Sequence, residues 1–253
     1  MALFTDGPIS DLGDLTAQDT QLANVANVEG IDVTQKLLLA QEEMALEITT
    51  LLQGSGRAEA IWMSAQPKID NVVVTPALML WHTFRSLEMV YGDAYSSQLN
   101  ARYAAKRDQF HERASWAFER LLLAGIGIAW SPVSRAAQPI VTATAGSIPD
   151  GTYYVAMTWV NAKGEEGAPS LSASITTAGS TLAVQPSAAP TGAASWNVYV
   201  GVDPTALSRQ NTVPIAVGQA WLQGNMTGSS GAAPGSGQAH NQLMPMPRRI
   251  LRG

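Results

Sequence analysis

The residues able to do chemistry are few and widely scattered. There is no cysteine, which excludes disulfide frameworks, thiolate metal sites and thiol catalysis. The three histidines, His82, His111 and His240, fall on different elements and form no H-E-x-x-H or comparable metal spacing. His82 reads as a core or half-buried side chain and His111 as solvent-facing. No G-x-S-x-G elbow, Walker loop or G-x-G-x-x-G follows a predicted strand. Gly125-Ile126-Gly127 closes a helix, which is the wrong context for a nucleotide-binding turn. Asp6, Asp11, Asp14 and Asp19 are too irregularly spaced for an EF-hand loop and read as a solvated segment with helix caps. Glu165 and Glu166 sit in a turn between strands. No acid, base and nucleophile assemble. The sequence therefore predicts a protein that is not an enzyme and holds neither cofactor nor metal.

The elements that carry these residues come from a chain of 253 residues, enough for one large domain or two modest ones. Charged residues make up 14%, against about 25% in an average soluble domain; a surface so poor in charge suits a protein largely covered by partners. The net charge of -5 argues against general nucleic-acid binding by phosphate neutralisation. The longest apolar run, Leu121 to Trp130, is half a membrane span and holds two glycines. The first residues, MALFTDGPISDLGD, show neither a basic segment nor an apolar signal core.

Charge is unevenly placed. Residues 1–135 hold ten basic and sixteen acidic side chains, residues 136–223 two and four, and residues 224–253 three arginines and no acid. Three compositions predict three parts: a helical domain over 1–135, a β domain over 139–223, and a flexible linker with a basic tail over 224–253. The fold class expected is α+β and multidomain: an N-terminal helical bundle with a long third helix, a small antiparallel β-sandwich, and an extended C-terminal tail.

In the first part, Asp32 with Gln35 opens a helix. Leu37, Leu38, Met44, Ala45, Ile48, Leu51 and Leu52 share its core face, while Leu39 and Leu46 lie opposite, beside Glu42 and Glu43. Gly54 and Gly56 are expected to end it. Thr75-Pro76 starts a second, buried helix, with Gly92 as its expected stop. A third helix is expected from Asp93 to Ala124, with Leu99, Tyr103, Phe110, Ala114, Ala117 and Leu121 as its core stripe. Arg102, Lys106, Arg113 and Arg120 line one flank; Asp108, Glu112 and Glu119 line the other. Signs so segregated cannot mostly pair at i,i+4. Two readings stand: a solvated amphipathic helix, or a subunit that offers a basic edge to one neighbour and an acidic edge to the next.

From Pro139 the period becomes that of strands. The runs 140–144, 153–160, 171–175, 181–184, 195–200 and 214–217 are separated by turn clusters, with Trp159 and Trp196 as core aromatics. Residues 224–240 read as a Gly/Ser/Ala linker, and LMPMPRRILRG ends the chain.

This order, with a helical domain, a glycine-rich break, a strand-rich insertion and an arginine-bearing extension, resembles the head–tail connector (adaptor) proteins of tailed bacteriophages. The stretches Gly151-Thr-Tyr-Tyr-Val, Trp159-Val-Asn and Trp196-Asn-Val-Tyr-Val-Gly are similar to immunoglobulin or fibronectin type III-like modules of phage structural proteins. The resemblance implies a virion protein at the head–tail interface, made in the host bacterial cytoplasm. It implies a dodecameric homo-oligomeric ring that contacts the portal and the tail or nozzle proteins. DNA would pass through without specific binding, and no membrane is involved. Leu39, Leu46, Arg102, Lys106, Arg113, Arg120, Asp108, Glu112 and Glu119 are then the expected subunit interface. Arg248, Arg249, Ile250, Leu251 and Arg252 are the expected portal-docking tail. The alternative is a carbohydrate- or host-surface-binding decoration protein on a helical anchor; its sugar site would need exposed aromatics, for which Tyr153, Tyr154, Tyr199 and Trp221 are the candidates.

Overall fold

The computed structural model describes residues 2–59, 66–98, 101–223 and 231–246; the side chains of 55–59 and 98 are not described. The fold is α+β. The helices are α1 (Leu12–Gln18), α2 (Leu22–Glu29), α3 (Val33–Glu59), α4 (Pro76–Gln98) and α5 (Ala104–Ala124). The strands are β1 (Val72–Val73), β2 (Ile126–Ile128), β3 (Ile140–Ala145), β4 (Gly151–Asn161), β5 (Ala173–Thr177), β6 (Ser180–Gln185), β7 (Ala193–Gly201), β8 (Ser208–Arg209), β9 (Ile215–Ala216), β10 (Trp221–Leu222) and β11 (Gln242–Met244).

Two compact units form, and they do not follow the composition. Residues 7–128 and 240–246 make a helical unit; residues 2–6, 129–223 and 231–239 make a β unit. The segment expected as one linker and tail is thus divided. Gln238 is buried in the β unit, where its carbonyl oxygen accepts from the Val133 amide at 3.0 Å and its amide donates to Ser131 and Glu165. Residues 242–244 instead pair with Ile128, Gly127 and Ile126 in the helical unit.

Local chemistry accounts for the helix ends. Asp11 and Asp14 cap α1 reciprocally, each carboxylate accepting from the other's amide at 2.9 Å. Gly30, in the left-handed region at φ 66°, ends α2. Asp32 accepts from the Gln35 amide at the start of α3, and Thr75 precedes Pro76 at the start of α4. Two expected stops are passed through: α3 runs beyond Gly54 and Gly56 to Glu59, and α4 runs through Gly92 to Gln98. A helical glycine costs about 1 kcal/mol against alanine, and the buried Val90, Tyr91 and Ala94 around Gly92 offset it. The third long helix consequently begins at Ala104, after a 3-10 turn at Ala101–Tyr103, and not at Asp93.

Helix α4 is central to the helical unit and packs against α1, α2, α3 and α5. Its core contacts are aromatic: Trp81 lies 4.7 Å from Phe118, and Tyr91 stacks on Phe110 at 5.5 Å. The core stripe of α3 is Leu37, Ala40, Met44, Ile48, Leu51 and Leu52; Leu38, expected there, is half exposed. Tyr103, at the end of the 3-10 turn, and Phe110, Ala114, Ala117 and Leu121 of α5 are buried as expected, and Leu99 lies outside the described residues. A three-stranded antiparallel sheet in the order β1-β2-β11 completes the unit.

The β unit holds two antiparallel sheets, β10-β6-β3 and β5-β4-β7-β8, with β9 also on β7. Their inner side chains meet in one core that contains Met157, Trp159, Trp196, Val198, Leu182 and Val184. Trp159 and Trp196 are register partners on β4 and β7, and both are fully buried.

Candidate functional site

The expected interface residues fall into two groups. The first is committed inside the helical unit. Lys106 Nζ lies 2.9 Å from Asp19 Oδ2, and that carboxylate also accepts from Tyr91 Oη at 2.7 Å. Burial would raise the Asp19 carboxyl, but hydrogen bonds from Lys106, Tyr91 and the Gln21 amide outweigh it and hold it below the ordinary value. Burial, and then the bond to Asp19, pushes the Tyr91 hydroxyl above the usual phenol range. Beside this group, Glu29 accepts from Tyr103 at 2.8 Å and from Ser97 at 3.1 Å, with Arg102 3.5 Å away. The carboxylates of Asp19 and Glu29 are 4% exposed. Arg102, in the 3-10 turn, and Lys106, on α5, therefore tie this part of the unit to Glu29 of α2 and to Asp19 at the end of α1. Asp108 pairs with Arg107 at 2.7 Å.

The second group stays on the surface. Leu39 is 37% exposed and Leu46 73%, on the side of α3 away from its core stripe. Arg113, Glu112 and Glu119 are exposed on α5, with the Arg113 guanidinium 5.5 Å from the Phe84 ring centre. The Arg120 guanidinium lies 5.6 Å from the Trp116 ring centre. Arg248, Arg249, Ile250, Leu251 and Arg252 lie outside the described residues.

Sequence reasoning missed Asp19 and Glu29 as the partners of the basic flank. The only signal was their position in the first thirty residues, far from α5 in sequence. It also missed Trp116 and Leu123, both about half exposed on α5. Their i,i+7 spacing, off the core stripe, was the available sign.

Two polar clusters elsewhere have the form of sites. His82 Nδ1 lies 2.6 Å from Ser10 Oγ, the distance of a base and its nucleophile. Both residues are buried, however, and His82 Nε2 lies 3.0 Å from the Leu37 carbonyl oxygen. That carbonyl can only accept, so Nε2 carries the proton and Nδ1 accepts from the serine. The pair clamps the N-terminal segment to α4. In the β unit, one Glu166 carboxylate oxygen accepts from Thr158, Asn197 and Tyr199; burial, then Glu166, raises the Tyr199 hydroxyl above its usual range. These donors order the turn that carries Glu165 and Glu166.

A cleft of about 470 Å³ is lined by Glu29, Asp32, Gln35, Lys36, Asp93 and Ser97, and the Lys36–Asp93 ion pair bridges two of its acidic and basic groups. Among the described residues no group of three or more histidines and carboxylates could hold a metal ion, and no helix is long and apolar enough to cross a membrane. Of the four aromatics a sugar site would need, Tyr153 and Tyr199 are buried. Trp221 and Tyr154 are partly buried against hydrophobic clusters. Compared with protein families, curated proteins and solved structures, the chain matches none.

Proposed function

We propose that the chain is a structural virion protein, a head–tail connector of a tailed phage whose copies form a ring between portal and tail around the DNA channel. The observation that carries this reading is the apolar side of α3. Leu46, 73% exposed in the middle of a 27-residue helix, sits one heptad from Leu39 on a side left open among the described residues. Burying two leucines yields about 1.5–3 kcal/mol each, so such a side is built for a neighbour. Arg113, Arg120, Glu112 and Glu119 on α5 are the charges left to orient that neighbour, because Arg102 and Lys106 are spent on Glu29 and Asp19.

In this reading the helical unit is the connector bundle, and the β unit is an immunoglobulin or fibronectin type III-like sandwich. Tyr153 supports the second half. Its hydroxyl donates to the Pro149 carbonyl at 2.7 Å, a bond four residues back along the chain, as in the tyrosine corner of such modules. The basic end of the chain docks on the portal. Met244 and Met246 are buried in the helical unit, so the separable docking segment begins after them. Burial of Tyr153 and Tyr199 counts against the sugar-binding alternative, which is left with the partly buried Tyr154 and Trp221.

Negative-stain imaging of portal-bearing heads mixed with the purified protein tests the reading. Added density at the portal vertex, lost when residues 247–253 are removed, is the expected result. Heads that stay bare at every protein concentration overturn it.

A further inference from the structure

On α5, Trp116, Arg120 and Leu123 stand at i, i+4 and i+7, which places them on one side of the helix. Trp116 is 47% exposed and Leu123 50%, and Arg120 lies over the indole between them. On α3, Leu39, Glu42 and Leu46 stand at i, i+3 and i+7, also on one side. Each surface is thus a pair of apolar side chains about 10.5 Å apart along the axis flanked by two charged residues, Glu42 and Glu43 on α3 and Glu119 and Arg120 on α5. Glu42 is exposed and has no ion-pair partner among the described residues. With Glu43 held by Arg85, the charge open to a neighbour is acidic on the α3 surface, and the α5 surface offers the basic Arg120 on one flank.

From this match we infer that the Trp116–Arg120–Leu123 side of α5 receives the Leu39–Glu42–Leu46 side of α3 from a second copy of the chain. The inference rests on the ring reading for its partner and names the surfaces that reading leaves open. Equal spacing lets the two apolar pairs meet in register, as heptad-spaced side chains do when helices pack side by side. With the helices parallel, Leu39 meets Trp116, Leu46 meets Leu123, and Glu42 meets Arg120 across the seam; run antiparallel, they would set Glu42 against Glu119. Pairing the α3 surface with its own copy would oppose only glutamates, and antiparallel pairing of the α5 surface with its own copy would set Arg120 against Arg120, which disfavours like-on-like contact. Glu119, beside Trp116, would come near Glu43; two hydrogen bonds from Arg85 to Glu43, at 3.0 and 2.6 Å, already offset that charge.

The absence of native cysteine makes a cross-linking test direct. Leu46→Cys and Leu123→Cys are made separately in the full chain, checked for unchanged helical circular dichroism, mixed, and oxidised. The mixed disulfide should exceed either homodimer about tenfold. Glu42→Arg on the Leu46→Cys chain should remove that excess, and Arg120→Glu on the partner chain should restore it. Homodimers as abundant as the mixed species, or yields blind to both charge reversals, overturn the pairing. The chain carrying both cysteines separates the two ideas. A ladder beyond dimer supports both the contact and the ring; a product that stops at dimer supports the contact and overturns the ring. Self-association of the unmodified protein by sedimentation, without a 46–123 cross-link, overturns the contact alone. A chain that stays monomeric free and on heads overturns both.

Discussion

Lys106 and Asp19, 87 positions apart in the chain, meet at 2.9 Å with Tyr91 on the same carboxylate. One residue of α5, one of α4 and the residue that ends α1 are thereby joined at a single buried anion. Removing its charge leaves a lysine and a phenol without their acceptor, at a cost of about 1–3 kcal/mol. Asp19→Asn should lower the urea midpoint accordingly. Because folding holds the carboxyl below its ordinary 3.8, its contribution is present above that pH and is lost as pH falls through the lower folded value. The gap between wild type and Asp19→Asn should therefore narrow in acid. A gap constant from pH 7 to pH 2 would place the loss in packing and not in the ionised group.

His82 acts in a higher window. Burial lowers its pKa from 6.5, although the Leu37 carbonyl works against the shift. The unfolded chain then binds a proton that the folded chain does not, so stability is full above 6.5 and falls as pH drops toward the folded value. Urea midpoints measured from pH 7.5 to 5 should decline, and His82→Gln should flatten the decline while lowering stability throughout. An unchanged slope in the variant would assign the pH dependence to another group.

Gly125 holds a backbone that a side chain cannot share. Its φ is +93°, and an added Cβ would lie 2.9 Å from the Met244 backbone. Gly125→Ala should cost more than about 1 kcal/mol and expose the amides of 242–244 to hydrogen exchange, with β1 and β2 still protected. Equal protection of all three strands in the variant would show that β11 does not depend on this close approach.

The β unit is expected to be dispensable for helix formation. Ile128 and Gln242 are register partners, so residues 129–241 can be replaced by Asn-Gly, a two-residue turn suited to antiparallel strands. A chain of residues 7–128, Asn-Gly and 242–253 should keep its helical circular dichroism and melt cooperatively. Loss of the helical signal would mean that the two units depend on one core.

What was legible in the sequence was whatever rests on local pattern. The period of two found the strands around Trp159 and Trp196 to within a few residues, and the cap at Asp32 and the Thr75-Pro76 start were visible as residue types. Less legible was everything decided at a distance. Gly92 looked like a stop because intrinsic propensity is local, whereas the buried Val90, Tyr91 and Ala94 that carry α4 past it are tertiary. The basic flank of α5 looked unpaired because only i,i+4 partners can be read from one helix; Asp19 and Glu29 come from elements too short to show periodicity. Strand β11 follows a Gly/Ser-rich stretch, and nothing in three residues announces which edge they will join.

The pairing of β11 with β2 also sets an order in time. During synthesis α1 to α5 and β2 are made first, yet the free edge of Ile126–Ile128 waits until residues 242–244 have emerged. Residues 2–6, made before any of the helices, belong with a β unit whose last described segment ends at residue 239. Neither unit can be complete when the ribosome is halfway along the chain. A stop before residue 242 therefore leaves the helical unit with an open sheet edge, although α1 to α5 are already present.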